Sequence, residues 1–187
     1  MFERLLVRIA AALVKHKIPY MVIGGQAVLL YGEPRATKDI DITLGIGIED
    51  LGRVFDAAGA AKLRLLVARA EEFARRTMVV PARDEGSGIR VDFILSFSDF
   101  ERQAIGRARR VRIGRKAVRF ARLEDLVIHK MIAGRPRDIE DVESILLKNP
   151  AFDAGYIRSW LREFDRALDG KTVPIFSALV RRVRSRR

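Results

Sequence analysis

The chain has 187 residues, 49% of them hydrophobic, which suits one compact domain or a core with a small helical appendage. Its 36 Lys and Arg against 24 Asp and Glu leave a formal charge of +12, a balance that fits a polyanionic partner, nucleic acid before a membrane surface, or plain solubility through excess arginine. With no cysteine and only His16 and His129, disulfides, thiolate sites and His-cluster zinc are excluded and a Ser-His triad is disfavoured, so metal chemistry must use oxygen ligands and hence Mg²⁺ or Mn²⁺.

In chain order, residues 2 to 16 place Leu5, Ile9, Ala12 and Leu13 on one side of a helix. This segment carries Glu3, Arg4 and Arg8 and has no convincing cleavage site, so it reads as a helix and not as a signal peptide. The longest uncharged run, Ile18 to Gly32, falls short of the roughly 20 residues of a membrane span, and the expected location is cytoplasmic. Pro19 ends the first helix, Tyr20 to Ile23 reads as a short buried strand, and Gly24-Gly25 turns the chain into a helical stretch from Gln26 to Tyr31.

A loop through Pro34 leads into an alternating strand that ends at Leu44. Glu49 to Ala58 and Leu63 to Arg76 look helical, Met78 to Val80 reads as a strand, and a Gly-containing loop over 84–88 precedes a strand from Ile89 to Leu95. Asp99 to Ala108 is helical, and Gly114-Arg115-Lys116 joins the two arms of a hairpin. From Arg122 onward the pattern is all helix, at 123–133, 136–147, 153–168 and 174–184, and the chain closes on Arg181 to Arg187 with five arginines. The expected division is therefore a mixed core over 1–121 and a helical region over 122–187.

The chemistry concentrates on two acidic strands. If the segment is extended, Arg35, Thr37, Asp39 and Asp41 share one face, while Ile40 and Ile42 point to the core. Asp is depleted in strands, and two carboxylates on one face repel unless a cation lies between them. Taken alone, the stretch fits a divalent-metal site and an ordinary polar-faced strand equally well. The second strand, Ile89 to Leu95, carries Asp92 at the centre of an apolar run, where a lone carboxylate is costly to bury. If the two strands are neighbours, Asp39, Asp41 and Asp92 converge, and such a trio can hold two Mg²⁺ ions of the kind that clamp attacking and leaving oxygens in nucleotidyl transfer. Gly24-Gly25, between a strand and a helix, lets backbone N–H groups approach an anion, although a lone Gly-Gly is more often just a tight turn.

Thirteen residues separate Gly25 from Asp39. In this order and spacing, the glycine pair, the Asp-x-Asp strand and the later Asp92 strand resemble the DNA polymerase β-like nucleotidyltransferase superfamily. GGQAVLLYGEPRATKDIDI together with LEDLVIHKMIAGRPRDIEDV is similar, more closely, to the AbiEii-type nucleotidyltransferases, which include toxins of type IV toxin–antitoxin pairs. The resemblance implies an α/β (α+β) nucleotidyltransferase fold, a short mixed sheet flanked by helices, followed by a C-terminal helical region that completes the active site. It also implies Mg²⁺ or Mn²⁺ on Asp39, Asp41 and Asp92, and an NTP substrate whose phosphates meet Gly24, Gly25 and Lys130. Asp138 is implied near the start of the following helix, and Arg35 and Thr37 match an Arg-x-Thr-x-Asp-x-Asp pattern that braces the carboxylates or touches phosphate.

The residues alone say less about these additions. Lys130 follows Leu126 by four and Val127 by three, so it lies on or beside an inward helix stripe and needs an anion there, unless it snorkels to solvent. Asp138 follows Pro136 in the first turn of a helix, where acids are favoured with or without chemistry.

The reaction implied is transfer of NMP from an NTP to an acceptor with release of pyrophosphate. Nine basic residues between Arg102 and Arg122, with the arginine tail, could track an RNA such as a tRNA 3′ end, and the same residues could be a solvated basic face. The expected acceptor is therefore RNA, in a toxin with a cognate antitoxin protein as partner and without a membrane partner. A protein hydroxyl, a small molecule such as an aminoglycoside or lincosamide, and a non-catalytic binding relative remain the alternatives.

Overall fold

A computed structural model describes residues 1–96 and 98–186 of the chain; Arg187, last of the tail arginines, lies outside the described residues. The chain divides into two compact units, Met1–Gln26 with Ala36–Ala121, and Ala27–Arg35 with Arg122–Arg187.

The first unit is built on one mixed sheet. Its strands are β1 (Tyr20–Ile23), β2 (Asp39–Leu44), β3 (Leu63–Leu65), β4 (Val79–Asp84), β5 (Arg90–Leu95), β6 (Arg109–Ile113) and β7 (Lys116–Phe120). They lie in the order β3-β4-β5-β2-β1-β7-β6. Two pairings are parallel, β2 with β5 and β1 with β7, and the rest are antiparallel. All four residues of β1 are buried, as expected for a strand covered on both faces.

Helices α1 (Phe2–Lys15), α3 (Leu51–Ala60), α4 (Ala70–Thr77) and α5 (Asp99–Arg107) pack against this sheet or one another. The stripe Leu5, Ile9, Ala12 and Leu13 of α1 is buried, and together with Ile40, Ile42, Val91, Phe93 and Leu95 it belongs to the core of this unit. A capping box starts α5: Ser98 accepts from the Glu101 N–H, and the Glu101 carboxylate accepts from the Ser98 N–H.

Two expectations change here. The helix expected from Leu63 to Arg76 is a strand followed by a shorter helix, because Leu63 to Leu65 pairs with Ala82 to Asp84 on β4 and α4 starts only at Ala70. Good helix-forming residues yield to a sheet edge that can take their backbone hydrogen bonds. The extended segment expected to include Arg35 and Thr37 starts at Asp39, so strand alternation does not set the direction of those two side chains.

The second unit is helical: α6 (Leu123–Ala133), α7 (Pro136–Lys148), α8 (Ala154–Leu168) and α9 (Thr172–Ser185), joined by the segment Ala27–Arg35. That segment includes most of α2 (Gly24–Tyr31), within which the division between the units falls. Gly134, at φ +61, ends α6 in the left-handed region and Pro136 opens α7, so two residues suffice to reverse the chain. Leu126, Ile128, Val142, Ile145, Ile157, Leu161 and Phe176 form a buried apolar core. Asn149 Nδ2 donates to the Tyr31 carbonyl at 2.7 Å, and Lys148 Nζ pairs with Glu33 at 2.8 Å, which ties the segment after α2 to the end of α7. Among the described residues, no helix is long and apolar enough to cross a membrane.

Candidate active site

In the first unit, β2 and β5 run parallel in a register that sets Asp41 beside Asp92 and Asp39 beside Arg90. Alternation then puts Asp39, Asp41, Arg90 and Asp92 on one face, while Ile40, Ile42, Val91 and Phe93 are buried on the other. Neighbouring strands lie about 4.8 Å apart, so the carboxylates of Asp41 and Asp92 are close neighbours.

Arg90 offsets part of this charge. Its Nε donates to both oxygens of Asp92, at 2.9 and 3.0 Å. That hydrogen bond raises the guanidinium pKa, against the opposing effect of desolvation, and the charges of Asp92, Asp39 and Asp41 add to the rise. The sequence reading missed Arg90, although the signal was present: Arg90-x-Asp92 has the same two-residue spacing as Asp39-x-Asp41.

Gly24 is placed against this acidic face. Its φ is +64, and a Cβ at this position would lie 2.0 Å from Asp41 Oδ2. Glycine is therefore required twice, for the left-handed backbone and for the close approach of Asp41 to the start of α2. Gly25 follows it, buried, in the same helical turn. Thr37 Oγ1 donates to Asp39 Oδ1 at 3.2 Å, so this residue braces a carboxylate without being in the strand.

The donors fit a hard divalent cation: all three are carboxylates, two of them at one register position, beside a glycine backbone where a side chain would fill the space. As placed, they are not drawn together: among the described residues no group of three or more His, Cys, Asp or Glu is arranged to hold a metal ion.

Lys130 and Asp138 belong to a second cluster, in the helical unit. Lys130 Nζ lies 2.7 Å from Asp138 Oδ1 and 2.8 Å from Asp141 Oδ2, and all three residues are buried. Arg135 Nε donates to Asp138 Oδ2 at 2.6 Å. Arg35 grips Asp141 through Nε at 2.8 Å and Nη2 at 2.9 Å. Burial pushes the Asp138 carboxyl up, but the hydrogen bonds and charges of Arg135 and Lys130 outweigh it and hold the carboxyl below its ordinary range.

This cluster revises two sequence arguments. The anion that an inward-facing Lys130 requires is supplied by Asp138 and Asp141, within the helical unit itself. Arg35, read as sharing the face of Asp39 and Asp41, pairs with Asp141. Asp141 was missed; it follows Asp138 by one helical turn, and that spacing was the available signal.

Comparison with known proteins identifies the family and the fold. The family described as "Nucleotidyltransferase of unknown function (DUF6036)" matches residues 4–167. The chain belongs to this family. No curated protein matches the nucleotidyltransferase at the level of sequence. Its fold is similar to that of antibiotic-resistance factor ANT(2'')-Ia, with a TM-score of 0.58 and 19% identity over 89% of this chain and 94% of that one. It is also similar to an antigenic nucleotidyltransferase-like protein from Paracoccidioides brasiliensis, with a TM-score of 0.56 and 16% identity over 96% of this chain and 91% of that one. Lincosamide antibiotic adenylyltransferase LnuA, solved with lincomycin bound, matches with a TM-score of 0.52 and 15% identity over 76% of this chain and 94% of that one. The mixed α/β fold of the nucleotidyltransferase is thus that of solved members of the same enzyme class.

Proposed function

We propose that the nucleotidyltransferase moves NMP from an NTP to a hydroxyl of RNA, with a tRNA 3′ end as the favoured acceptor. The observation that carries the transfer reaction is the register of Asp41 with Asp92, with Asp39 on the same face and Gly24 against Asp41. Asp39, Asp41 and Asp92 would hold divalent cations, Mg²⁺ or Mn²⁺, which when bound neutralise triphosphate charge. Gly24 and Gly25 offer backbone N–H groups at a helix start to the phosphates. The acceptor oxygen forms a bond to the α-phosphorus as the bond to the β-phosphate oxygen breaks, pyrophosphate leaves, and the hydroxyl proton passes to the Asp92 carboxylate. Positioning and charge stabilisation supply the rate. The phosphate contact of Lys130 and the active-site role of Asp138 rest on the AbiEii-like motif alone.

Support for RNA comes from the formal charge of +12 and from the basic stretch between Arg102 and Arg122. The AbiEii-like motif extends this reading to a toxin held by an antitoxin partner. A second reading, transfer to the hydroxyl of a small molecule, is supported by the fold likeness to a protein solved with adenylyl-2''-tobramycin and to one solved with lincomycin.

Incubation with each labelled NTP, Mg²⁺ or Mn²⁺, and total tRNA or whole lysate tests both. Label in tRNA that is lost in Asp39→Ala and Asp41→Ala is expected. Label only in protein or in small molecules overturns the RNA acceptor. No label anywhere, with no metal–NTP binding, overturns the transfer reaction.

A further inference from the structure

The sheet of the first unit ends in the hairpin of β6 and β7, whose side chains take no part in the transfer step above. From Arg102 to Arg122 the chain has nine basic residues and no acidic one. The register sets Arg110 directly across from Arg119, with Arg112 two positions along and across from Ala117. Strand alternation therefore puts Arg110, Arg112 and Arg119 on one face, opposite the buried Val118 and Phe120. Arg110 and Arg112 are exposed, and so are Arg115 and Lys116 at the tip.

Like charges directly across a strand pair repel. Elsewhere the arginines of this chain commonly meet carboxylates, as Arg53 meets Asp50, Arg64 meets Glu85 and Arg75 meets Glu71. On the hairpin face, among the described residues, Arg110 and Arg112 have no carboxylate partner, and Arg119 donates to the Ile105 carbonyl. A row of guanidinium groups without a carboxylate partner offers charge-assisted donors to an external anion. Protection of the exposed sheet edge is a competing reason for charge on β6. It does not explain the two cations at the tip, Arg115 and Lys116.

We propose that the Arg110, Arg112 and Arg119 face of this hairpin binds the sugar–phosphate backbone of the RNA acceptor, which rests on the reading that the acceptor is RNA. Residues two apart on a strand lie about 6.8 Å from each other, comparable with the spacing of successive phosphates along a strand of RNA. Phe120 is on the buried face and no aromatic residue lies on the arginine face, so the bases are not stacked and the contact is independent of sequence.

Fluorescence anisotropy of labelled total tRNA, titrated with the full chain at several salt concentrations, tests the assignment. Arg119 is left intact because it holds the Ile105 carbonyl. The double variant Arg110→Gln, Arg112→Gln is expected to lower the slope of log affinity against log salt by about 1.4 for single-stranded or about 1.8 for duplex phosphates. That corresponds to about 25- to 60-fold weaker binding at 0.1 M salt relative to a 1 M reference. Arg110→Lys with Arg112→Lys should keep the slope, and circular dichroism should show all variants folded.

An unchanged slope in a folded Gln variant overturns the proposal, as does wild-type binding to anionic lipid vesicles with none to RNA. Label transfer separates the two readings. If wild type labels tRNA and the Gln variant does so with the same KM, the hairpin assignment fails and the acceptor stands. If tRNA binds through Arg110 and Arg112 but takes no label, the hairpin assignment stands and the RNA acceptor fails.

Discussion

Replacing Lys130 by Met keeps most of the length of the side chain and removes the charge between two buried carboxylates. The side chains of Lys130, Asp138 and Asp141 are 5%, 2% and 5% exposed, so water cannot take over the lost interaction. Removing one partner of a buried ion pair costs about 3–5 kcal/mol. Part is retained here: Arg35, 21% exposed, keeps its two-bond grip on Asp141, whereas Arg135 is 74% exposed and its hold on Asp138 is screened. The expected loss is therefore near the lower end, about 3 kcal/mol, or a fall in Tm of about 6–12 °C for a chain of this size. Urea unfolding followed by circular dichroism measures it.

The pH dependence has a defined sign. Asp138 has a folded pKa below its unfolded value, so its stabilising contribution is present above the ordinary carboxyl value of 3.8 and is lost as pH falls through the folded value. Without Lys130 the folded pKa rises, and a protonated Asp138 no longer needs a cation. The stability difference between wild type and variant should therefore narrow as pH falls toward the carboxylate range. A Lys130→Met protein as stable as wild type at pH 7 would refute the account of Lys130 as the counter-ion of Asp138 and Asp141. A difference that stays constant on acidification would refute the assigned coupling.

Gly24→Ala should abolish label transfer, because its Cβ would lie 2.0 Å from Asp41 Oδ2. The left-handed backbone adds about 1–2 kcal/mol of strain, read as a lower Tm. Placing Gly24→Ala on Asp41→Ala should recover part of the lost stability without activity, and a full loss in both backgrounds would show that Asp41 is not what Gly24 makes room for. His129, half-buried in α6, has its imidazole pKa pushed down from 6.5 to about 4 by desolvation. Its contribution is intact above 6.5 and is lost as pH falls toward 4, a span of at most about 3 kcal/mol. His129→Leu should flatten the stability profile over that window, and an unchanged slope would show that His129 is solvated.

The sequence by itself determined most of the element list and the chemistry of the acidic strands. Periodicity marks α1 and α6 to α9, because apolar stripes and glycine or proline stops are local signals. Asp39, Asp41 and Asp92 stood out because a carboxylate in an apolar strand is costly without a partner. What lay beyond the sequence was pairing. Only the tertiary structure decided that β2 and β5 are neighbours with Asp41 beside Asp92, a register that depends on residues some fifty positions apart in the chain. The partners of the charged side chains were equally non-local. Lys130 and Arg35 looked like residues awaiting a phosphate or a strand carboxylate, and the fold gives both of them Asp141. Leu63 to Leu65 shows the same limit from the other side: a helix-like string becomes a strand because β4 offers it an edge. Local pattern fixes which side chains can do chemistry, and long-range packing decides which of them meet.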